Sequence, residues 1–389
     1  MDSREHRVGG LSFLIALLAV ALCMRSAITG VGPLLGTLRE QLGLSPTSAG
    51  LLSSLPLLLF AACAPVARLA RNHGTERMLL LALAALLAGL LLRSEGHVPT
   101  LFVGTLVLAG GIAVANILLP ILVKQHFPAR IPAITSAYAT MIGVSAAVGS
   151  GLAAPLARWL PGGWRGSLCS WAVPVVVALV VWFPHTRHDL HVTSVADTSH
   201  ARLPWSSPLA WQVTGYMGLQ SMVFYVTVAW YPTMLQDAGL TVEASGWLLT
   251  LYQVAALGGG LAMPILIRGS ADQRFLAAST GLLSAVGTLG MLLAPSWGFL
   301  WMVLLGLGTG PALILALSFM GLRATGPRSA GSLSLMAQSL GYLLASVGPV
   351  SFGAIHELSG GWLWPMLMLA IAAVAMVGCG LGAGRAIRV

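Results

Sequence analysis

The stretch LSFLIALLAVALCMRSAITGVGPLLGTL, residues 11–38, decides how the chain is read. At about 1.5 Å per helical residue this mostly apolar run exceeds the roughly 30 Å hydrocarbon layer of a bilayer. It carries one permanent charge, Arg25, about 21 Å along the helix from Leu11, so the charge sits deep. Estimates for an arginine at bilayer depth run from about 3 kcal/mol to above 10, so Arg25 is expected to face a protein interior or an aqueous cavity. The acidic residues Asp2, Glu5, Glu40, Glu76, Glu95, Asp189, Asp197, Asp237, Glu243, Asp272 and Glu357 all fall in or beside predicted loops and tails. No helix core is therefore expected to offer Arg25 a carboxylate. A guanidinium stays charged and presents five donors in a planar fork suited to anions. Arg25 either ties helices together through backbone carbonyls or receives an anion or polar acceptor from outside, and the missing carboxylates favour the second reading.

The rest of the composition agrees with a bilayer setting. Of 389 residues, 57% are hydrophobic and 8% charged, with a mean hydropathy of +0.87, whereas soluble domains carry roughly a quarter charged residues. The fold class expected is an all-α polytopic membrane protein. The net charge of +9 does not indicate nucleic acid, because the cations are spread singly among short connectors. The predicted inside connectors hold Arg4, Arg7, Arg68, Arg71, Arg77, Lys124, Arg130, Arg187, Arg202, Arg268, Arg274, Arg323, Arg328, Arg385 and Arg388. The outside ones hold only Arg39, Arg93, Arg158 and Arg165. That bias predicts both termini in the cytoplasm. Cys23, Cys63, Cys169 and Cys379 lie in apolar segments without metal-type spacing and read as packing residues. The first run is too long for a signal peptide's apolar region and is expected to remain as a span.

Apolar runs set against loop signals predict about twelve helices, over residues 11–38, 47–70, 77–93, 100–123, 132–157, 165–184, 208–235, 243–267, 274–294, 297–322, 330–356 and 362–384. Residues 185–206, with four histidines, Asp189 and Asp197, read as a cytoplasmic linker between bundles 1–184 and 207–389. The halves match at a fixed offset of 198 positions. Gly110 pairs with Gly308, Arg130 with Arg328, Ser136 with Ser334, Gly143 with Gly341, Ala147 with Ala345, and Gly162-Gly163-Trp164 with Gly360-Gly361-Trp362. Two parallel six-helix repeats are the plan of the major facilitator fold, whose pseudo-symmetric halves rock about a site near the bilayer midplane. Gly143 with Ala147, and Gly341 with Ala345, also form small-xxx-small faces for close helix packing.

Other motifs weigh against chemistry. Gly306, Gly308, Gly310 and Pro311 resemble a nucleotide loop only superficially, since no strand precedes them. Paired carboxylates, a base beside a nucleophile and metal-ligand clusters are not visible in the pattern, so neither enzymatic activity, nor a metal, nor a cofactor is expected. Polar residues recur within spans instead. Tyr216, Gln220 and Thr227 share a face of the seventh helix, and Ser334, Gln338 and Tyr342 step along the eleventh. Asn116, Tyr138, Thr140, Tyr252 and Gln253 add to the set, against the plain alternative of helix-to-helix hydrogen bonds worth well under about 2 kcal/mol each.

Four stretches carry a more specific likeness: Met24-Arg25-Ser26-Ala27-Ile28-Thr29-Gly30 before Pro33; the run from Gly110 to Pro120 with Lys124 and Phe127-Pro128; Ser207-Pro208-Leu209-Ala210-Trp211-Gln212-Val213-Thr214; and the run from Met336 to Ala345. In these the chain resembles the cyanate permease and 2-nitroimidazole transporter branch of the major facilitator superfamily, over nearly its whole length. The resemblance implies twelve helices, a bacterial inner membrane and transport of a small molecule, and Arg25, Asn116, Tyr138, Tyr225, Gln338 and Tyr342 fall in its motifs. Arg71-Asn72-His73-Gly74 departs from the superfamily's general signature, with arginine where most members carry aspartate.

The expected mechanism is alternating access around Arg25, with Thr29, Asn116, Tyr138, Gln220, Tyr225, Tyr252, Gln253, Gln338 and Tyr342 lining the path of a small anion or a planar polar solute. Moving one negative charge inward costs about 2.3 kcal/mol per 100 mV of interior-negative potential, so anion uptake needs a co-transported proton, an exchanged anion or the outward direction. His356 and Glu357 are the candidates for proton coupling. Proton-driven multidrug efflux is the rival within transport, disfavoured by the lack of embedded acids. A receptor or a membrane enzyme is disfavoured by the even duplication. The expected partners are the lipid bilayer and a small-molecule substrate, and the chain is read as a monomer.

Overall fold

The protein is described here by a computed structural model covering residues 2–62, 74–187, 203–269 and 271–388. Arg71-Asn72-His73, Cys63, the end of the helix expected over 47–70 and most of the 185–206 linker lie outside the described residues. Fourteen α-helices occur among the described residues: α1 Asp2–Thr29, α2 Leu35–Leu42, α3 Pro46–Ala62, α4 Thr75–Arg93, α5 Val98–His126, α6 Ile131–Trp159, α7 Trp164–Ser170, α8 Ala172–Trp182, α9 Pro208–Asp237, α10 Val242–Ile267, α11 Arg274–Leu293, α12 Gly298–Leu322, α13 Pro327–Ser359 and α14 Leu363–Ala383. Ten segments are long and apolar enough to cross a membrane, and the shorter α3 and the more polar α9 complete twelve spans.

Two of the expected helices are broken. The first stops at Thr29, because Pro33 lacks an amide proton and disfavours helix in the residue before it. A 3-10 turn over Gly32–Leu34 follows, in which a Cβ on Gly32 would overlap the Val228 carbonyl, so only glycine fits. The sixth divides at Trp171, where Pro174 cannot donate to the Ser170 carbonyl.

Helix contacts group Met1–Gly30 with Cys63–Val195 in one compact unit, and Val31–Ala62 with Ala196–Val389 in a second. In the first, α4 lies along α5 and α1 along α6. Gly104 of α5 is so close to α4 that a Cβ there would come within 2.8 Å of Arg93 Cα, and one on Gly149 of α6 within 2.6 Å of Ser26 Cα. The exposed stripe Val173, Val176, Val177 and Val180 on α8 has the i, i+3, i+4, i+7 spacing of a face turned to lipid. In the second unit α3 and α9 both pack on α13. Gly341, expected to allow close packing, does so against Gly218 and Met217 of α9. Tyr216, Met217, Phe319, Met336 and Met376 are among the buried side chains of its core.

The repeat is visible in local geometry. Gly162 and Gly360, 198 positions apart, both take positive φ (83° and 68°), a conformation that favours glycine. Gly89 of α4 packs on the Gly104 and Leu108 turn of α5, and its counterpart Gly287 of α11 packs on Leu305 of α12.

Candidate functional site

In the first unit Arg25 is half-buried on α1 and engages neighbouring groups within the protein. Its helix is held to α6 by two polar contacts. The Ser26 amide donates to Ser145 Oγ at 2.9 Å, and Thr29 Oγ1 lies 2.9 Å from the Ala146 carbonyl and 3.1 Å from that of Arg25. Thr29 is fully buried, so its hydroxyl serves helix contact. Asn116 of α5 and Tyr138 of α6 are half-buried.

Arg93, expected in an outer connector, instead closes the last turn of α4 with 1% of its surface exposed. Its Nη1 donates to the Ala27 carbonyl at 2.7 Å, two residues from Arg25, while Nε and Nη2 are buried without an acceptor. A lone cation in such a place is costly unless something satisfies it. The buried indole Nε1 of Trp171, close against Gly30, is likewise without an acceptor. The end of α1 thus has unfilled donors on two sides.

The second unit holds the remaining expected residues. Gln338 Nε2 donates to Ser334 Oγ at 2.8 Å along α13, and Tyr342 on the same face meets Phe60 of α3 edge-on, ring centroids 5.5 Å apart. On α9 and α10 the unforeseen ring is Phe224, which lies 5.1 Å from Tyr225 and 5.9 Å from Tyr252. Gln220 is buried, its amide donating to Ser221 Oγ at 2.7 Å. Tyr252 is fully buried with its hydroxyl 2.8 Å from Thr309 Oγ1, and Tyr216 is bound in the same way to Thr280 at 2.7 Å. Gln253 is also buried, but its Nε2 has no acceptor.

The residues considered for proton coupling have other engagements. Glu357 Oε2 accepts from the Thr47 amide at 3.0 Å and its hydroxyl at 2.6 Å, which caps the N-terminus of α3. His356 stacks on Trp362 at 3.9 Å with Nδ1 3.2 Å from the Gly361 carbonyl. Two polar junctions were not anticipated. In the first unit Glu76, expected in a loop, is buried on the first turn of α4, its Oε1 3.1 Å from His126 Nε2. In the second, Arg323 just after α12 donates to the Ala383, Gly384 and Ala271 carbonyls at 2.8, 3.1 and 3.4 Å and to Gln273 Oε1. Burial pushes this guanidinium below its usual range, with nearby Asp272 opposing the shift and Arg388 adding to it.

The Major Facilitator Superfamily model matches residues 17–349. The chain belongs to this superfamily. It is 41% identical to the 2-nitroimidazole transporter of Escherichia coli (strain K12), covering 96% of this chain and 95% of that one. It is 29% identical to the cyanate transport protein CynX of the same organism, covering 94% and 95%. Among solved structures, a bacterial homolog of the human lysosomal transporter Spinster superposes with a TM-score of 0.80 at 14% identity, over 98% of both chains. The D-xylose–proton symporter gives 0.72 at 14%, over 95% of this chain and 97% of that one. The protein is a multi-pass membrane transporter of small solutes and not an enzyme.

Proposed function

We propose that this transporter moves a small anion, or a planar polar molecule rich in acceptors, by alternating access, with Arg25 as the anchor for its charge. The observation that carries this reading is the buried Arg93 guanidinium, donating to Ala27 O beside Arg25 and left with two N–H-bearing nitrogens without acceptors. Arg25 on α1 and the Arg93 guanidinium reaching α1 from α4 make a field that favours anions, and the Arg93 donors without acceptors offer hydrogen bonds suited to a carboxylate-sized or nitro-sized group. Asn116, Tyr138, Gln220, Tyr225, Gln253, Gln338 and Tyr342 supply further hydrogen bonds and aromatic walls, the Gln253 amide nitrogen being a buried donor without an acceptor in the second unit. Thr29 and Tyr252, whose hydroxyls are taken, hold the helices that present the others. The cargoes named for the E. coli relatives, 2-nitroimidazole and cyanate, fit this description and are the first to test.

The experiment is counterflow of labelled cyanate and of labelled 2-nitroimidazole in proteoliposomes. Wild type exchanges at least one. In Arg25→Gln the apparent affinity for cyanate falls roughly tenfold to a hundredfold, the loss of one charge-assisted hydrogen bond, with a smaller change for the neutral molecule. Equal loss for both, or full binding with reduced thermal stability, assigns Arg25 to helix packing.

A further inference from the structure

The two units close the same corner with opposite chemistry. Position 323 corresponds to Gln125 and position 273 to Thr75 by the 198-residue offset, and Arg274 corresponds to Glu76. In the second unit the corner where α11 begins and α12 ends is filled by Arg323, a permanent cation whose donors go to Gln273 and to three carbonyls. In the first unit the equivalent corner, where α4 begins and α5 ends, has no buried arginine or lysine among the described residues. It has the Glu76–His126 contact, and around it Thr75 Oγ1, Glu76 Oε2 and Gln125 Oε1 are buried without a partner. Two of those three atoms are acceptors short of a donor. Both lack a hydrogen-bond donor, and the side chain of Glu76 is only 1% exposed.

The surroundings select what can supply that hydrogen. Phe13 of α1 stacks on the His126 ring at 3.8 Å and 23°, and the Trp182 indole of α8 donates to the Glu76 carbonyl at 3.0 Å. Phe127 lies 6.0 Å from Phe13. Among the described residues a further titratable group at the corner is His185, edge-on to Phe13 at 5.3 Å and 5.9 Å from Trp182. Arg77 and Lys124 flank it in sequence but are exposed. The walls of the corner are aromatic, and imidazole is the side chain that changes charge in the physiological range.

We propose that Glu76 and His126 form a proton-binding site. One proton is shared between Glu76 Oε1 and His126 Nε2; a second, taken from water, goes to Glu76 Oε2, neutralises the carboxylate and removes the counter-charge of the imidazolium. That step weakens the junction of α1, α4, α5 and α8, whereas the equivalent corner of the second unit is held by Arg323, whose guanidinium stays charged. As a coupling site it rests on the transport reading, but proton binding itself does not.

The test uses full-length protein in nanodiscs and in proteoliposomes. Infrared difference spectra between about pH 3 and pH 8, which spans the ordinary carboxyl and imidazole ranges, show a protonated-carboxyl C=O band that Glu76→Gln deletes and His126→Gln shifts in pH. Cyanate counterflow in wild type changes by up to about tenfold per pH unit, the limit for one proton, and in His126→Gln its pH profile moves with that band. A band that persists in Glu76→Gln, or the same pH profile of counterflow in wild type and His126→Gln, overturns the site. Should Glu76→Gln not fold, the His126→Gln spectrum decides. Absence of any cyanate or 2-nitroimidazole exchange overturns the cargo assignment instead, while the infrared result still judges the proton site.

Discussion

Arg93→Met keeps the apolar stem of the side chain and removes its guanidinium, so it separates a helix strut from an anion site. As a strut, Arg93 has one good contact, Nη1 to Ala27 O at 2.7 Å, and a charge-assisted hydrogen bond contributes about 1.5–3 kcal/mol. Against it stand Nε and Nη2, buried without acceptors, and an unsatisfied buried donor costs about 1–3 kcal/mol. The two sides offset, and replacement by a well-packed apolar residue is expected to leave stability unchanged or to raise it by about 1–4 kcal/mol, as for other buried charges exchanged for apolar groups. Anion binding adds a second, separable signature. A cargo present at a hundred times its dissociation constant stabilises the folded protein by about 2.7 kcal/mol. Thermal unfolding of purified protein, without and with increasing cyanate, reads both. Arg93→Met should unfold no earlier than wild type in the absence of cyanate and should lose most of the cyanate-dependent rise. A destabilisation above about 3 kcal/mol without cyanate is the behaviour of a charge whose partners were all in place, and refutes the view of an unfilled site. An undiminished cyanate response in Arg93→Met moves the anion elsewhere.

Other positions give narrower tests. Arg323→Gln removes the donors that tie the end of α12 to the carbonyls closing α14, and should lower stability by about 3 kcal/mol in thermal unfolding without altering cyanate affinity. Gly104→Ala forces α5 away from the Arg93 backbone and should cost about 1–3 kcal/mol, seen as a lower unfolding midpoint. Glu357→Gln weakens the cap on α3, seen as a slightly lower unfolding midpoint, and should leave the pH profile of counterflow as in wild type. Asp272 has its carboxyl held below the usual range, chiefly by hydrogen bonding to Arg274. A depressed folded-state value means that its stabilisation is present above the unfolded-state titration and disappears as pH falls through the folded-state one. Asp272→Asn should therefore lower the unfolding midpoint slightly at neutral pH and not at all in acid.

Helix positions were legible because an apolar run ended by Pro, Gly or a charge is a local signal. The expected 243–267 and 297–322 lie within a residue of Val242–Ile267 and Gly298–Leu322. The same rule misread Arg93 and Glu76. A charge at the edge of an apolar run reads as a helix stop in a connector, and only the packing of α1 and α8 over those ends makes them interior. The polar faces were legible as faces, since the 3.6-residue period puts Ser334, Gln338 and Tyr342 together. Their partners were not. Tyr216 and Tyr252 find Thr280 and Thr309 more than fifty positions away, and a period in one helix carries no information about which helix it meets. Phe224 gave no signal at all, being one apolar residue among many on α9.

Charge placement ties the anion reading to the titratable corner. Both guanidiniums near the end of α1 belong to the unit whose other junction is the Glu76–His126 contact, while the second unit spends its buried cation, Arg323, on backbone carbonyls. An anion brought inward against an interior-negative potential meets about 2.3 kcal/mol per 100 mV, and one proton carried with it cancels that electrical work. A carrier that binds its anion through permanently charged arginines cannot supply the proton from the anchor itself, because guanidinium does not titrate in proteins. If uptake is coupled to a proton, rather than to an exchanged anion or the outward direction, the proton rides on the cargo or on a different group, and the Glu76–His126 pair lies in the same unit as Arg25.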